Sequence, residues 1–505
     1  MVSFTCCLGS PLFSSDLRQW NLIIKHRVLA GDLEGALFMF TKMQRIGVQG
    51  DNYTFPLVLK AAAGLAISHV GFSLHGQIIK TGFSSHVFVQ TAMLKVYYAL
   101  GYIGRARLLF DKMPDKDLLA WNSMLDAYAS NGQMDDALDI FDLMPVRDSV
   151  SFNTIISGYG KIGRVASARD YFDRMPMKDD VSWNSMIAVY TKAGEMKLAS
   201  LLFDEMVGRN VVSWNTVING YLQNQCYADA IDLFYKMKAS RTEPNHLTLS
   251  AVLSACAHLC SLETGVRIHT EAVRFLSDPH VTAALIDMYS KCGSIGKALQ
   301  VFYKAQVKNM YCWNAMISGL ALHGCGQAAL RLFDEMKAES MRPDDITFIG
   351  LFSACSHAGM VQEGSLLYEC MEREFGVSPK AEHYCCMVDL LGRAGFLDLA
   401  YGLIETMPFE PEATVLGALL GACVIHGDLK MGELIAKRIN ARGDCLTDGE
   451  YMMLANMHAM CGQWLESNRW RRKMNNAGIS KPAGCSLIEI DGKMHRFLAG
   501  DFEDV

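Results

Sequence analysis

The 505-residue chain lacks several features that mark common protein classes. No run of about 18 uninterrupted apolar residues occurs, so the sequence predicts no membrane span. No Cys-x-x-Cys pair occurs among its 16 cysteines, which form no disulfide-like framework, and this favours a reducing compartment. No stretch rich in Pro, Gly or Ser divides the chain, although its length alone would suggest several domains.

The chain also lacks the basic excess of a general nucleic-acid-binding protein. It carries 47 Lys and Arg against 53 Asp and Glu, for a net charge of −6. Residues 413–505 hold 11 basic and 11 acidic side chains, so the preceding part carries the whole negative charge. A broadly basic surface is therefore excluded, and any phosphate contacts must come from a few placed side chains.

What the chain does have is an internal repeat. An aromatic residue followed by Asn recurs every 31 residues, at Trp121-Asn122, Phe152-Asn153, Trp183-Asn184 and Trp214-Asn215. Apolar residues before and after a central Gly follow helical spacing, and Met-Pro closes three successive copies, which predicts two short helices joined at Gly. One such hairpin cannot bury its apolar face alone, so we expect an all-α solenoid of about twelve stacked helix-turn-helix repeats.

Serines and cysteines also recur at fixed positions of the repeats, and the repeats themselves vary in length in a regular way. Ser151, Ser182 and Ser213 precede the aromatic residues, and we expect their hydroxyls to cap the first helices. Cys256, Cys355 and Cys423 share one repeat phase, which favours small packed residues over ligands. The predicted repeats are 17–51, 52–86, 87–117, 118–148, 149–179, 180–210, 211–245, 246–278, 279–309, 310–344, 345–380 and 381–412.

Two polar columns accompany the repeat. Asn is a mediocre helix former, yet it occupies one helical phase in six repeats, and each of these repeats ends in Asp or Asn. The column could be a structural amide bonded to the adjacent repeat, or a displayed amide that reads a base edge. Two columns within a small alphabet favour one base read per repeat. The pairs are Asn21/Asp51, Thr91/Asp117, Asn122/Asp148, Asn153/Asp179, Asn184/Asn210, Asn215/Asn245 and Asn314/Asp344.

A third column is basic. Lys161, Lys192, Lys291 and Arg393 each stand two residues before a central Gly. Stacking would align them as a stripe that neutralises phosphates at regular intervals, although solvated turn residues explain the same pattern.

With these columns, the chain resembles the plant pentatricopeptide repeat (PPR) proteins of the PLS subclass. The phrases NTIISGYGKIGR, LIDMYSKCGSI and FSACSHAGMVQEG are specific to that family, and the resemblance extends from Leu17 to Asp501. It implies a right-handed superhelix that binds single-stranded RNA, with the two polar columns as specificity positions. The second residue of each repeat, as in Val150, Val181 and Val212, would flank a base. The family's pairing rules imply the order U, unread, G, U, U, C, C, unread, uncertain, U and two unread.

The resemblance also interprets the C-terminal part. Residues 413–480 resemble the helical E extension and residues 481–505 the E-plus segment, whereas residues 1–16 are at most a weak transit peptide. Ile488, Glu489 and Ile490 alternate as in a short strand with Glu outward. Longer relatives continue into a DYW-type cytidine deaminase, which needs His-x-Glu with Cys-x-x-Cys. The one His-x-Glu, at His269, lies in a repeat helix in phase with His75 and has no such partner.

The resemblance therefore implies a non-enzymatic adaptor without a cofactor. Its repeats would select an organellar transcript, and the E and E-plus segments would recruit a DYW-type deaminase and other editing factors for C-to-U editing. The mitochondrion is favoured because the family has more targets there, with the chloroplast as the alternative. Two other functions remain open: stabilisation or splicing of an organellar RNA without editing, and a protein-binding scaffold of the tetratricopeptide type.

Overall fold

The computed structural model describes residues 16–441, 446–481, 483–490 and 493–499. Nearly all of the predicted N-terminal segment 1–16 and part of the E-plus segment 481–505 therefore lie outside the described residues. Those described form 28 α-helices, two short 3₁₀ helices and one two-stranded sheet. They divide into two compact units, residues 1–224 and 225–505. The prediction of an all-α solenoid is confirmed.

The first unit consists of helical hairpins, apart from its last helix. The helices are α1 (Leu17–Leu29), α2 (Leu33–Arg45), α3 (Thr54–Leu65), α4 (Ser68–Lys80), α5 (Val87–Ala99), α6 (Ile103–Lys112), α7 (Leu118–Ser130), α8 (Met134–Leu143), α9 (Ser149–Lys161), α10 (Val165–Arg174), α11 (Asp180–Lys192), α12 (Met196–Glu205) and α13 (Val211–Gln223). A 3₁₀ helix, Phe83–Ser85, lies between α4 and α5.

The second unit continues the pattern and ends in a hairpin of strands. Its elements are α14 (Tyr227–Ala239), α15 (His246–Leu259), α16 (Leu262–Ala272), α17 (Pro279–Lys291), α18 (Ile295–Lys304), α19 (Met310–Leu322), α20 (Gly326–Ala338), α21 (Asp345–Ala358), α22 (Val361–Arg373), α23 (Ala381–Arg393), α24 (Leu397–Glu405), α25 (Ala413–His426), α26 (Leu429–Ala441), α27 (Asp448–Met460), α28 (Trp464–Asn476), β1 (Cys485–Ile490) and β2 (Lys493–Leu498). A 3₁₀ helix, Val273–Phe275, follows α16.

The stack is held by the first helices of successive repeats. In the first unit α7, α9, α11 and α13 pack one on the next, and in the second unit α15, α17, α19, α21, α23 and α25 do the same. Ile155, Ile156 and Ile187 are fully buried in these interfaces. Each such side chain contributes roughly 1.5–3 kcal/mol, which a single hairpin could not gain because its face would stay wet.

The recurring aromatic residues stabilise the stack from between the repeats. Each contacts an aromatic residue on the second helix of the preceding repeat in an edge-to-face arrangement, which adds specific geometry to apolar burial. The centroid distances are 4.9 Å for Phe110–Trp121, 5.1 Å for Phe141–Phe152, 5.2 Å for Phe172–Trp183 and 4.8 Å for Phe203–Trp214.

The turn between the two helices of a repeat requires a left-handed residue. Gly163 takes this conformation with φ +74° after α9, as the central Gly pattern predicts. At the end of α15 the same place is held by Cys260, with φ 53°, so one variant repeat bears the strain of a side chain there.

The buried cysteines and the C-terminal hairpin complete the second unit. Cys256, Cys355 and Cys423 are fully buried, as their shared phase predicts, and burial raises the pKa of the Cys256 thiol to about 12. Strands β1 and β2 pair antiparallel, with Ile488 opposite His495. Among the described residues, no helix has both the length and the apolar character needed to cross a bilayer.

Candidate nucleic-acid interface

The Asn column and the terminal Asp column meet in space. Nδ2 of Asn122 donates to Asp148 at 3.2 Å, although 26 residues separate them. The equivalent bond joins Asn21 to Asp51 at 3.2 Å and Asn314 to Asp344 at 3.0 Å. The two columns that the sequence pairs are therefore direct hydrogen-bond partners in these three repeats.

The terminal column has a second role, as the N-caps of the following helices. Asp148 accepts the backbone N–H of Ser151 at 2.9 Å, and Asp179 accepts that of Ser182 at 2.8 Å. The expectation that the serines are the caps was wrong. Ser151 stands at the third helical position and returns a bond to the Asp148 backbone in a capping box, because the acidic side chain precedes it by three residues. Ser182 does likewise with Asp179, and Ser213 donates its amide to the cap Asn210.

The orientation of the Asn amide is set from the next repeat. The Ser151 hydroxyl lies 2.8 Å from Oδ1 of Asn122 and from Oδ1 of Asp148, and it shares its single proton between them. The Thr347 hydroxyl is placed in the same way, 2.7 Å from Oδ1 of Asn314 and 2.8 Å from Oδ1 of Asp344. A primary amide has two N–H donors and two acceptor lone pairs. These Asn side chains therefore retain one donor and one acceptor, in an orientation that the carboxylate and the hydroxyl fix.

The central repeats depart from this arrangement. Oδ1 of Asn153 and Oδ1 of Asn184 are buried without a hydrogen-bond partner within the described chain. Asn210 donates to Asp180, the first residue of α11, at 2.8 Å. Two buried amide oxygens in consecutive repeats thus have an unused acceptor, and leaving such a group unpaired is costly.

The remaining pairs are placed individually. Thr91 is buried and its hydroxyl donates to the Val87 carbonyl, while Asp117 caps α7 through the Ala120 amide. Asn215 is buried within the first unit, and Asn245 caps α15 in the second.

Three of the terminal carboxylates, Asp51, Asp148 and Asp179, have a lowered pKa and are ionised more readily than a free Asp. Partial burial by itself would raise the pKa of Asp148, but the Ser151 amide and hydroxyl and the Asn122 amide outweigh it and hold that pKa below its usual value. The pKa of Asp51 and that of Asp179 are lowered in the same way. These carboxylates thus remain acceptors at neutral pH.

Apolar side chains stand exposed at the second position of each central repeat. Val150, Val181 and Val212 are 55%, 59% and 61% exposed. Three exposed valines at one repeat phase form surfaces on which a planar ligand could stack.

Two cavities in the first unit bring the predicted site residues together. A cavity of about 240 Å³ is lined by Val150, Asn153, Lys161 and Val181. The next, of about 390 Å³, is lined by Val181, Asn184, Lys192 and Val212, with Lys161 at its edge. Each therefore combines two second-position valines and one Asn with at least one lysine, from three separately predicted columns.

The four basic residues of the stripe differ in their surroundings. Lys161 donates to the Ser130 hydroxyl at 3.1 Å, and Ser130 in turn donates to Asp126; no direct ion pair of Lys161 or Lys192 is found within the described residues. Lys291 pairs with Asp287 at 2.9 Å, and Arg393 pairs with Asp389 at 2.8 Å. Lys161 and Lys192 are therefore the two members without a direct ion pair.

Sequence reasoning missed one polar contact of the C-terminal hairpin. Glu489, expected to point outward, accepts hydrogen bonds from Ser261 and Thr264 at the start of α16. More than 220 residues separate the partners, and no local pattern announces the contact. His269, the single His-x-Glu histidine, bonds the Tyr289 hydroxyl at 2.8 Å.

The fold and the recurring site define a helical-repeat protein with polar pairs at one phase of several repeats, and the family comparisons identify the class. The PPR repeat family model matches residues 209–258 and 308–357. Models described as PPR repeat match residues 91–118, 119–149, 146–176, 181–211, 283–310, 346–374 and 382–409. The E motif model matches residues 426–489.

Individual relatives agree. Pentatricopeptide repeat-containing protein At5g56310 of Arabidopsis thaliana is 36% identical, over 92% of this chain and 77% of its own. The chloroplastic At2g45350 of the same plant is 41% identical, over 96% and 85%, and the mitochondrial At3g26782 is 35% identical, over 97% and 77%. The chain belongs to the pentatricopeptide repeat family, and its repeat pattern and E motif fit the PLS subclass with an E extension.

Solved structures show the same fold. The maize protein PPR10 superposes with a TM-score of 0.56 at 17% identity, covering 92% of this chain and 75% of its own. PPR10 in complex with an 18-nt psaJ RNA element superposes with a TM-score of 0.60 at 17% identity, covering 93% and 80%.

Proposed function

We propose that this chain binds single-stranded RNA sequence-specifically in an organelle and selects a site for C-to-U editing by a DYW-type cytidine deaminase recruited in trans. The cavity lined by Val150, Asn153, Lys161 and Val181 carries the proposal. It offers two apolar walls for a base, an amide with an unpaired oxygen for the base edge, and a lysine without a direct ion pair for a phosphate. That PPR10 was solved with an RNA element supports the ligand class.

The recognition chemistry follows from the groups at each Asn. Uracil presents an N3–H donor beside carbonyl acceptors, which one amide acceptor and one amide donor can match. A terminal Asp accepts only and so fixes which end of the Asn amide is displayed. A terminal Asn both donates and accepts, so the amide can turn and suit cytosine, whose edge is reversed. On this basis we expect U at the Asn122/Asp148 repeat and C at the Asn184/Asn210 repeat.

The domain roles follow as part of the proposal. Residues 17–412 bind the RNA, residues 413–480 with the E motif and residues 481–505 recruit the deaminase, and residues 1–16 are at most a weak transit peptide. The E motif match and the organellar names of two relatives support this division. The proposed compartment is the mitochondrion. A fluorescent fusion of the full-length chain that accumulates in chloroplasts would correct it.

A binding assay tests the RNA proposal. The full chain is titrated with a 12-nucleotide RNA of the implied order, and with one in which the central U-U-C-C is replaced by G-G-A-A. We expect at least about tenfold weaker binding to the replaced RNA, since each matched base edge contributes on the order of 1–3 kcal/mol. Equal affinity for both RNAs contradicts sequence-specific recognition.

A matched pair of variants tests the cavity. Val181→Ala shortens an apolar side chain that lines both cavities. It should weaken binding to every RNA without changing base preference. Val207→Ala is the control, because Val207 is fully exposed and lines neither cavity. Equal effects of the two substitutions would remove the base-stacking role.

Sequencing of organellar cDNA from a loss-of-function plant tests the editing step. A specific C that stays unconverted supports the proposal. Changed abundance or splicing of a transcript with every site edited would instead assign stabilisation or splicing. The third function, a protein-binding scaffold, predicts two results. The wild type has no affinity for RNA, and joint replacement of Asn153 and Asp179 leaves binding to a protein partner intact.

A further inference from the structure

The C-terminal hairpin contacts a repeat far away in the sequence through one carboxylate. The Ser261 and Thr264 hydroxyls and the Glu263 and Thr264 backbone amides all donate to Glu489. The three longer bonds measure 2.9–3.2 Å. Ser261 and Thr264 are each 2% exposed, so the donors are sheltered from water.

These bonds complete a helix that does not cap itself. Ser261 is the N-cap residue of α16, but its hydroxyl makes no bond within that helix. A carboxylate at a helix N-terminus satisfies free amides and interacts favourably with the helix dipole. Glu489 thus does for α16 what Asp148 does for α9, from more than 220 residues away.

The hairpin depends on contacts outside itself. A two-stranded antiparallel hairpin is marginal in water by itself. Ile488, Ile490 and Phe497 share the face opposite to Glu489, and they are 49%, 48% and 59% exposed. The hairpin is therefore attached by its Glu489 face and exposes its other face.

The attachment point lies near the predicted phosphate row. Cys260, next to Ser261, donates its thiol to the Lys291 carbonyl at 3.6 Å. We propose that Glu489 is a latch that fixes the β1–β2 hairpin on the repeat 246–278, beside Lys291. Its consequence rests on the proposed function: the segment that recruits the deaminase stands at a fixed place along the bound RNA. Glu489 is a positioning residue and touches no base.

Hydrogen exchange of the full chain tests the latch without RNA. Glu489→Ala and Glu489→Gln should raise amide exchange in residues 485–498 at least about tenfold, while exchange in α7–α11 stays unchanged. Glu263→Gln is the matched control, because Glu263 contributes its backbone amide and its side chain pairs only loosely with Arg267, at 3.5 Å. Unchanged exchange in Glu489→Ala, or an equal rise in Glu263→Gln, overturns the latch.

A double substitution isolates the pair. Thr264→Val removes one donor at nearly constant volume, so it should also raise hairpin exchange, and adding it to Glu489→Ala should cause no further rise. A further rise equal to that of Thr264→Val alone shows that the two residues act independently and overturns the latch.

An editing assay with a partner deaminase tests the consequence. Glu489→Gln should keep RNA affinity within about twofold of wild type and lower conversion of the target C several-fold. Full conversion despite fast hairpin exchange overturns the positioning role. Absence of RNA binding by the wild type would remove the proposed function and leave the exchange result standing.

Discussion

Asn122, on the first helix of its repeat, donates a hydrogen bond of 3.2 Å to Asp148, the last residue of that repeat. The same Asp148 oxygen accepts the Ser151 amide at 2.9 Å. One carboxylate atom thus orients the predicted base reader and caps the next helix. The Asp148 side chain contributes to both stability and recognition. Separating the two roles requires a substitution that changes one and leaves the other intact.

Asp148→Asn should change recognition without changing stability. Asn caps a helix about as well as Asp, so the thermal midpoint should stay near that of the wild type. The repeat becomes an Asn/Asn pair, and its base preference should shift from U to C. Asp148→Ala loses the cap and should lower the free energy of unfolding by about 1 kcal/mol.

Thermal unfolding and titration with RNAs that differ only at this base check the pair. A U preference retained by Asp148→Asn would show that Asp148 is a cap and nothing more.

Lys161 and Lys192 should dominate the salt dependence of RNA binding. Each replacement by Gln should reduce the slope of log affinity against log salt by about 0.7, because one fewer phosphate is neutralised. Lys291→Gln should have a smaller effect, since Asp287 already compensates its charge. Binding is measured at several salt concentrations, with the exposed Lys197→Gln on α12 as control. Equal slopes for Lys161 and Lys197 variants would refute the role.

Trp313→Ala should destabilise the second unit by about 3–5 kcal/mol, because Trp313 is 1% exposed and packs edge-to-face on Phe302 at 4.9 Å. Trp313→Phe should be far milder. Phe152 occupies the equivalent place against Phe141 at 5.1 Å, so the site accepts a smaller ring. Denaturant unfolding followed in the second unit measures both, and equal losses would show that the indole itself is required.

Acid should destabilise the stack through its caps. The folded-state pKa of Asp51, Asp148 and Asp179 is lowered, so their stabilisation is complete above the unfolded pKa near 3.8 and is lost as pH falls through the lower folded values. The thermal unfolding midpoint should therefore decrease as the pH drops below about 4, and it should not change with pH above about 5. A variant that combines Asp51→Asn, Asp148→Asn and Asp179→Asn should lose less stability than the wild type between pH 5 and pH 3. An identical acid profile for this variant would assign the loss to other carboxylates.

The sequence predicted the helices well because their signals are local. Gly163, the Met-Pro closures and the apolar spacing each act within one repeat, and so does the Asn122/Asp148 pairing once the period is known. It misassigned the caps because Ser151 and Asp148 lie three residues apart and both are good capping residues. Only the backbone geometry distinguishes the N-cap from the third helical position.

By itself, the sequence determined the repeat, its helical hairpins and the columns that recur in it, since a period of 31 residues imposes one local solution on every copy. Local order also set the charge pairing of Lys291, because Asp287 stands four residues before it on the same helix. Tertiary structure placed Lys161 against Ser130 of the neighbouring repeat, and it joined Glu489 to Ser261 and Thr264. These outcomes depend on how stacked helices bring distant side chains within hydrogen-bond reach, which no local pattern encodes.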